Sequence, residues 1–540
     1  MFTGHATCGI FSITAPATRI SDSTTGDLRI GNGCQITSCL PALVADDAPA
    51  LVIESCGTGK STVGFMGVHL INIKGEMGML ADFVQPSVTN EVKLGDNVKL
   101  RAENGDIAVR ATSDQSIGLR SSQIVTNAAT LGESVTSEEH GSTKSNVTIG
   151  TGFEALGKSL ALEALNKDYY TCEGVKVTIS VGLNAYSKNA FVVENNSEAT
   201  ITLAGGKIDV EEFKANALTD VTVKATQLLA GGSVTVDVNA GKVYVTKNQT
   251  ANITLGTDDN TLDILTDDIS VNAHNKHLFT RLDESETMVY GGDVGLVSGN
   301  SKGTVDATRN INASVTLGSG SKIRRRADAG HYLSRAAYGA LVSATNNVES
   351  NTEIELFSGG VLNANCILNT WDATTANATL TLNGSIDTWN DTELTAYSHV
   401  RHNMVNSVTS GAIVPTANTD LRNTIDTNDQ VNLNGTVESI GNVLIQAGST
   451  RGKYTLVDGA AVLSGEDDAN CSHYYWGKNQ ALVYHKRKES LTINADVRAG
   501  GELIISNDSS ANTVKKSFTT LDDDGKLSGN RTSDDFLAAA

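Results

Sequence analysis

Residues 314–320 read SVTLGSG and residues 379–385 read TLTLNGS. Each is a short apolar alternation of period two that ends on a small or turn-forming residue, the pattern of a strand running into a bend. The same phrase recurs as DLRIGNG (27–33), EVKLGDN (91–97), NVTIGTG (146–152), TITLAGG (200–206), NITLGTD (252–258), QVNLNGT (430–436) and SLTINAD (490–496). Aligned on the last apolar residue, the nine copies make Ile30, Leu94, Ile149, Leu203, Leu255, Leu317, Leu382, Leu433 and Ile493 equivalent. Subtracting neighbouring residue numbers gives intervals of 64, 55, 54, 52, 62, 65, 51 and 60. Self-similarity at such a period is the signature of a stacked repeat, because one short unit cannot bury its apolar face alone.

Further strand-like runs follow most copies, with Ile107 and Val109, or Val443 and Ile445, again at period two. The expectation is an all-β chain of strand and turn repeated throughout, with Val, Leu and Ile piled inward in rows and Thr, Asn, Lys and Asp facing out. Asn rows at the turns are expected to form side-chain ladders. A coil of about 20 residues stacked at about 4.8 Å predicts three coils per repeat, about 27 coils in all, and a rod of about 130 Å.

Composition agrees with such a body. Among 540 residues, aromatics are 5% and Gly is 51, while a net charge of −20 disfavours nucleic acid and anionic membrane surfaces as partners. Four of the five prolines (Pro16, Pro41, Pro49, Pro86) precede residue 90. The division expected is therefore a less regular N-terminal part over 1–90, a repeat shaft over 91–510 and a polar tail over 511–540. The opening MFTGHATCG has neither the basic start nor the apolar stretch of a secretory signal, and no run is long and apolar enough for a membrane span. Its seven cysteines, Cys8, Cys34, Cys39, Cys56, Cys172, Cys366 and Cys471, include no C-x-x-C pair, which leaves pairing open.

Each candidate site has a plainer reading beside it. ESCGTGKSTV (54–63) looks like a phosphate-binding loop, but Glu54 stands where the first glycine belongs, and the glycines and β-branched residues that follow do not make a helix. It reads as a turn and strand edge. DDDGK (522–526) would need carboxylates at positions 520 and 531 to hold calcium; Thr520 and Arg531 stand there. Asp258–Asp259 and Asp267–Asp268 read as solvated turns. His274 with His277, and His399 with His402, have a spacing that shares a face on a helix but opposes faces on a strand, so no metal is expected. The basic clusters Arg324–Arg326 and Lys486–Lys488 read as a charged outer face. Beside the second, Tyr474, Tyr475, Trp476 and Tyr484 are the aromatics placed to stack on a sugar. No cofactor or catalytic residue is called for, since the acids are scattered; a β-helix carbohydrate-active enzyme, lyase or hydrolase, would need them paired on one face.

The units SVTLGSGSKI, ATLTLNGSIDTWNDTELTAYS and VNLNGTVESIGNVLIQAGS resemble the repeats of large bacterial filamentous adhesins of the filamentous haemagglutinin type, including the leukotoxin-like ones. The resemblance covers residues 91 to 510. It implies a right-handed parallel β-helix (β-solenoid), elongated and non-catalytic, displayed at the outer-membrane surface or secreted. Attachment or aggregation through a glycan or protein of a host or neighbouring cell is the implied role. The family's signal peptide and secretion domain have no counterpart here, and seven cysteines exceed its usual number, so an internal or truncated segment of the shaft is expected.

Overall fold

The computed structural model describes residues 2–8, 18–38, 49–72, 75–127, 131–180, 185–233, 236–283, 287–326, 339–411, 414–448, 468–475, 479–508, 513–521 and 527–532. Every regular element among them is a β-strand. Val, Ile and Thr, stiff at χ1, alternate over long stretches and suit a pleated surface, while glycine and Asn interrupt them at the bends. The strands form two sheets, one of nine strands and one larger. Among the described residues all pairings are parallel except that of Thr513–Leu521 with Leu527–Thr532.

The chain alternates between the sheets. Leu131–Ile149 belongs to the nine-stranded sheet, Phe153–Ser180 to the larger, Ala185–Leu203 to the first again and Gly206–Ser233 to the second. Each return lays the chain beside its own earlier passage. All nine anchor residues pair in succession, from Ile30 with Leu94 to Leu433 with Ile493, and so form one continuous row. The pairing offset is thus the whole interval from one anchor to the next, and the expectation of three short coils per repeat is wrong.

That correction changes the shape. Such a long strand spans about 66 Å and nine rungs stack to about 40 Å, so the body is a broad slab and not a rod of about 130 Å. Solution scattering should give a radius of gyration of about 24 Å, where the rod requires about 37 Å. The stretch from Glu54 to Val63 lies inside the unbroken strand Leu51–Asn72, paired residue by residue from Glu54–Arg110 to Val63–Leu119. The expected turn is absent, and a backbone engaged in a ladder cannot curl around a phosphate.

Among the described residues the core has, besides smaller clusters such as Ile311, Val348, Ala376, Val400 and Ile425, two large apolar zones. One contains the anchor row and, opposite it, Leu100, Ala155, Ile208, Ile264, Ile323 and Ile386. The other gathers Phe191, Val193, Val223, Val243, Phe279 and Leu356 farther along the strands. At the anchor end the chain turns through stacked bends: Asn32 Oδ1 accepts from the Asp96 N–H at 3.0 Å, and Asp96 Oδ1 from the Thr151 N–H at 2.8 Å. Asn494 donates to Asn434 at 3.2 Å and Asn434 to Asn383 at 2.9 Å, an outer Asn ladder of the expected kind. One position per bend is left-handed in three early passages: Gly33 (φ 70°), Asn97 (φ 56°) and Gly152 (φ 66°). Gly152→Ala should therefore lower stability by about 1–2 kcal/mol, while Asn97→Gly shifts the urea midpoint little.

Candidate functional site

Strand parity decides most sequence candidates. His274 is half-buried on the outer face of Asp268–Arg281 while His277 is buried on the inner; His399 and His402 divide likewise on Thr392–Gly411. His277 Nδ1 lies 3.1 Å from Gln249 Oε1, and burial drives its pKa well below the usual imidazole range. Asp258 accepts from the Ser319 N–H of the next passage at 3.2 Å, which holds its carboxyl below the ordinary range. Asp267, expected as a solvated turn residue, is instead buried at the corner between Leu262–Thr266 and Asp268–Arg281. Among the described residues no three His, Cys, Asp or Glu side chains converge as a metal site would require. DDDGK at 522–526 lies outside them.

Four members of the basic clusters are joined to acids on other passages, while Arg487, expected on a charged outer face, has a side chain only 7% exposed and pairs with Glu489 of its own strand at 2.8 Å. Arg324 pairs with Asp263, Arg325 with Asp387 at 3.3 Å and Arg326 with Asp209 at 3.4 Å; Lys486 pairs with Asp426 at 3.2 Å. Each of these four pairs bridges rungs, so these charges serve the stack. Of the aromatics, Tyr484 is exposed on the nine-stranded sheet. The backbone of Tyr474 and Tyr475 ends the strand Asp468–Tyr475; their side chains and the whole of Trp476 lie outside the described residues. Among described cysteines, Cys34, Cys56, Cys172 and Cys366 are free thiols, and burial pushes Cys172 up to about 12.

Between the two apolar zones runs a buried polar belt that sequence reading missed. The Arg309 guanidinium is fully buried, pairs with Asp372, and donates to Ser350 Oγ at 3.0 Å. Burial alone would raise the Asp372 carboxyl, but Arg309, His402 and the Ser350 hydroxyl outweigh it and hold it below the ordinary range. His402 is kept below its usual pKa, chiefly by burial, and lies between Thr374 at 2.9 Å and Asn423 at 2.8 Å. A chain of bonds then crosses five strands: Thr219 to Asn275 at 2.6 Å, Asn275 to Asn346 at 2.8 Å, Asn346 to Ser398 at 3.0 Å and Ser398 to Asp429 at 2.7 Å. Sealed from solvent, the belt fixes register: a one-residue slip would turn each of these groups outward. A signal for it existed. Lys247 and Arg309 each stand eight residues before an anchor leucine, Leu255 and Leu317, and so share its inward parity.

The outer face of the nine-stranded sheet is the surface best suited to contact. On the strands Val236–Leu255, Ser298–Leu317 and Asn363–Leu382, the outward positions nearest the anchors form five aligned rows. They run from Thr246–Thr308–Ala373 through Asn248–Asn310–Thr375, Thr250–Asn312–Asn377 and Asn252–Ser314–Thr379 to Thr254–Thr316–Thr381. No charge stands in this array, on a chain whose net charge is −20. Asn310 donates to Asn248 at 3.0 Å, Ser314 to Asn252 at 2.7 Å and Asn377 to Asn312 at 2.8 Å, so the side chains are held in place. Tyr484 lies in the same row as Ala373, two strands beyond it across Thr424. Comparison with protein-family models, with curated proteins and with solved structures gives no match.

Proposed function

We propose that this chain is a shaft segment of a surface-exposed or secreted bacterial filamentous adhesin, non-catalytic, built as a right-handed parallel β-helix and mediating attachment or aggregation. The uncharged Thr/Asn/Ser array carries the reading. A flat, ordered surface of hydroxyls and amides suits a neutral glycan on a host or neighbouring cell, which offers hydrogen-bond partners but no charge to match. Tyr484 supplies an aromatic face in line with the array for a sugar ring. Right-handedness rests on the general rule for a strand that crosses over and returns parallel to its own sheet.

The test is binding of the purified chain to cells and to immobilised neutral glycans. Thr250→Glu with Thr316→Glu should weaken attachment at least about tenfold, a cost of about 1.4 kcal/mol, and leave the thermal midpoint unchanged, since both side chains face outward. Equal binding by this variant would remove the array from the function. Turnover of a polysaccharide by the wild-type chain would favour the enzyme reading instead.

A further inference from the structure

Gly141, Asn195 and Lys247 occupy one inward row on three consecutive strands of the nine-stranded sheet, Gly141 beside Asn195 and Asn195 beside Lys247. Rungs are about 4.8 Å apart, so a lysine amine can fold back onto the side-chain carbonyl carbon of its row neighbour without stretching either strand. Gly141 has no side chain, and its slot is filled by the carboxyl of Glu139: a Cβ there would strike Glu139 Oε1 and stand 3.0 Å from the Tyr170 hydroxyl. Acid, carboxamide and amine therefore follow one another along a single row.

All three are sealed from water, and each has polar atoms with no hydrogen-bond partner: Lys247 Nζ, both Glu139 oxygens and Asn195 Oδ1. Lys247 Nζ lies 3.5 Å from the centre of the Tyr170 ring. Tyr170 OH accepts a hydrogen bond from Asn195 Nδ2, which also donates to Asp168 Oδ2 at 3.2 Å. A buried amine and acid left unpaired are costly in a folded core, and an amide bond would remove the amine altogether.

We propose that Lys247 and Asn195 join in an intramolecular isopeptide bond, with Glu139 moving the proton. The uncharged Nζ adds to Cγ of Asn195 while the protonated Glu139 carboxyl donates to Oδ1. A proton from Nζ passes by way of Glu139 to Nδ2, the Cγ–Nδ2 bond breaks, ammonia leaves, and the Oδ1 proton returns to Glu139 as the carbonyl reforms. One C–N bond forms, one breaks, and nothing is oxidised or reduced. Burial supports both protonation states, lowering Lys247 to about 8 and raising Glu139 to about 8. The bond would staple two successive passages of the nine-stranded sheet, Ala185–Leu203 and Val236–Leu255, tying neighbouring rungs of the slab covalently.

The experiment is the intact mass of the full chain in denaturant, followed by a protease map. The expected result is a chain one ammonia lighter than its sequence requires, with a branched peptide that carries both Lys247 and Asn195. Lys247→Arg and Glu139→Gln chains should keep their full sequence mass. A wild-type chain at full mass overturns the proposal whether or not the variants fold. So does a loss of ammonia mapped to a peptide lacking Lys247, and a Glu139→Gln chain still one ammonia lighter removes the role given to Glu139.

Discussion

Replacing Arg309 by Met is expected to lower the unfolding free energy by about 3–5 kcal/mol, the usual cost of leaving one buried charge without its partner. Met matches the length of the arginine stem, so little volume is lost and the penalty is electrostatic. Without the guanidinium, burial becomes the main influence on Asp372, whose carboxyl then rises above the ordinary range in place of lying below it. Adding Asp372→Leu should recover most of the loss, because an apolar pair at the same place needs neither desolvation nor a partner. The urea midpoints of the two single variants and the double variant close the cycle. A double variant as unstable as the sum of the singles would mean that the knot acts through its wider contacts to Ser350, Thr374 and His402, and not through the ion pair.

How far the fold was legible follows from this belt. The anchor residues were visible because each closes a clean apolar alternation, and the structure stacks all nine in one row. Strand length was not. In Leu131–Ile149 the inward positions include Val147 and Ile149, but also Ser145, Thr143, Gly141, Glu139 and Ser137, so the apolar alternation ends where the strand does not. Pairing two sheets along strands of this length lets polar groups face inward if each finds a partner across the slab, a condition that no local window of sequence contains. The His pairs were readable, since parity alone divides them. Arg324 and Lys486 were readable as outer charge, but their acids, a whole repeat away in sequence, emerge only once the register is known. The Arg487 side chain, only 7% exposed and paired with Glu489 on its own strand, departs from the outer-face reading. The uncharged array needed the register too: Thr and Asn are common in every row of the sequence, and only alignment of three strands shows that no charge falls among them.

The same belt sets the response to pH. Asp429 faces inward from Val414–Leu433, and burial raises its carboxyl from 3.8 to about 7, although the Ser398 N–H at 2.9 Å and hydroxyl at 2.7 Å both donate to it. Below 3.8 the group is protonated folded or unfolded, and its contribution to stability is fully present. Between 3.8 and about 7 the unfolded chain releases the proton and the folded chain keeps it, so stability is lost as pH rises through about 7. Asp429→Asn should leave stability unchanged at the acid end and raise it by about 4 kcal/mol above neutrality, since an amide has no proton to surrender. Asp168, raised to about 6, and Glu139, raised to about 8, act with the same sign, so the wild-type chain should lose stability steadily from about pH 4 to about pH 8. A free Lys247 amine would act in the opposite sense: lowered from 10.5 to about 8, it would shed its proton in the folded chain first, and stability would recover above that pH. Urea unfolding across this range separates the two effects. A slope unchanged by Asp429→Asn would show that the carboxyl reaches solvent. A wild-type curve that falls to about pH 8 and does not turn up again is what an amide-bonded Lys247 requires, because a lysine already joined to Asn195 has no amine left to titrate.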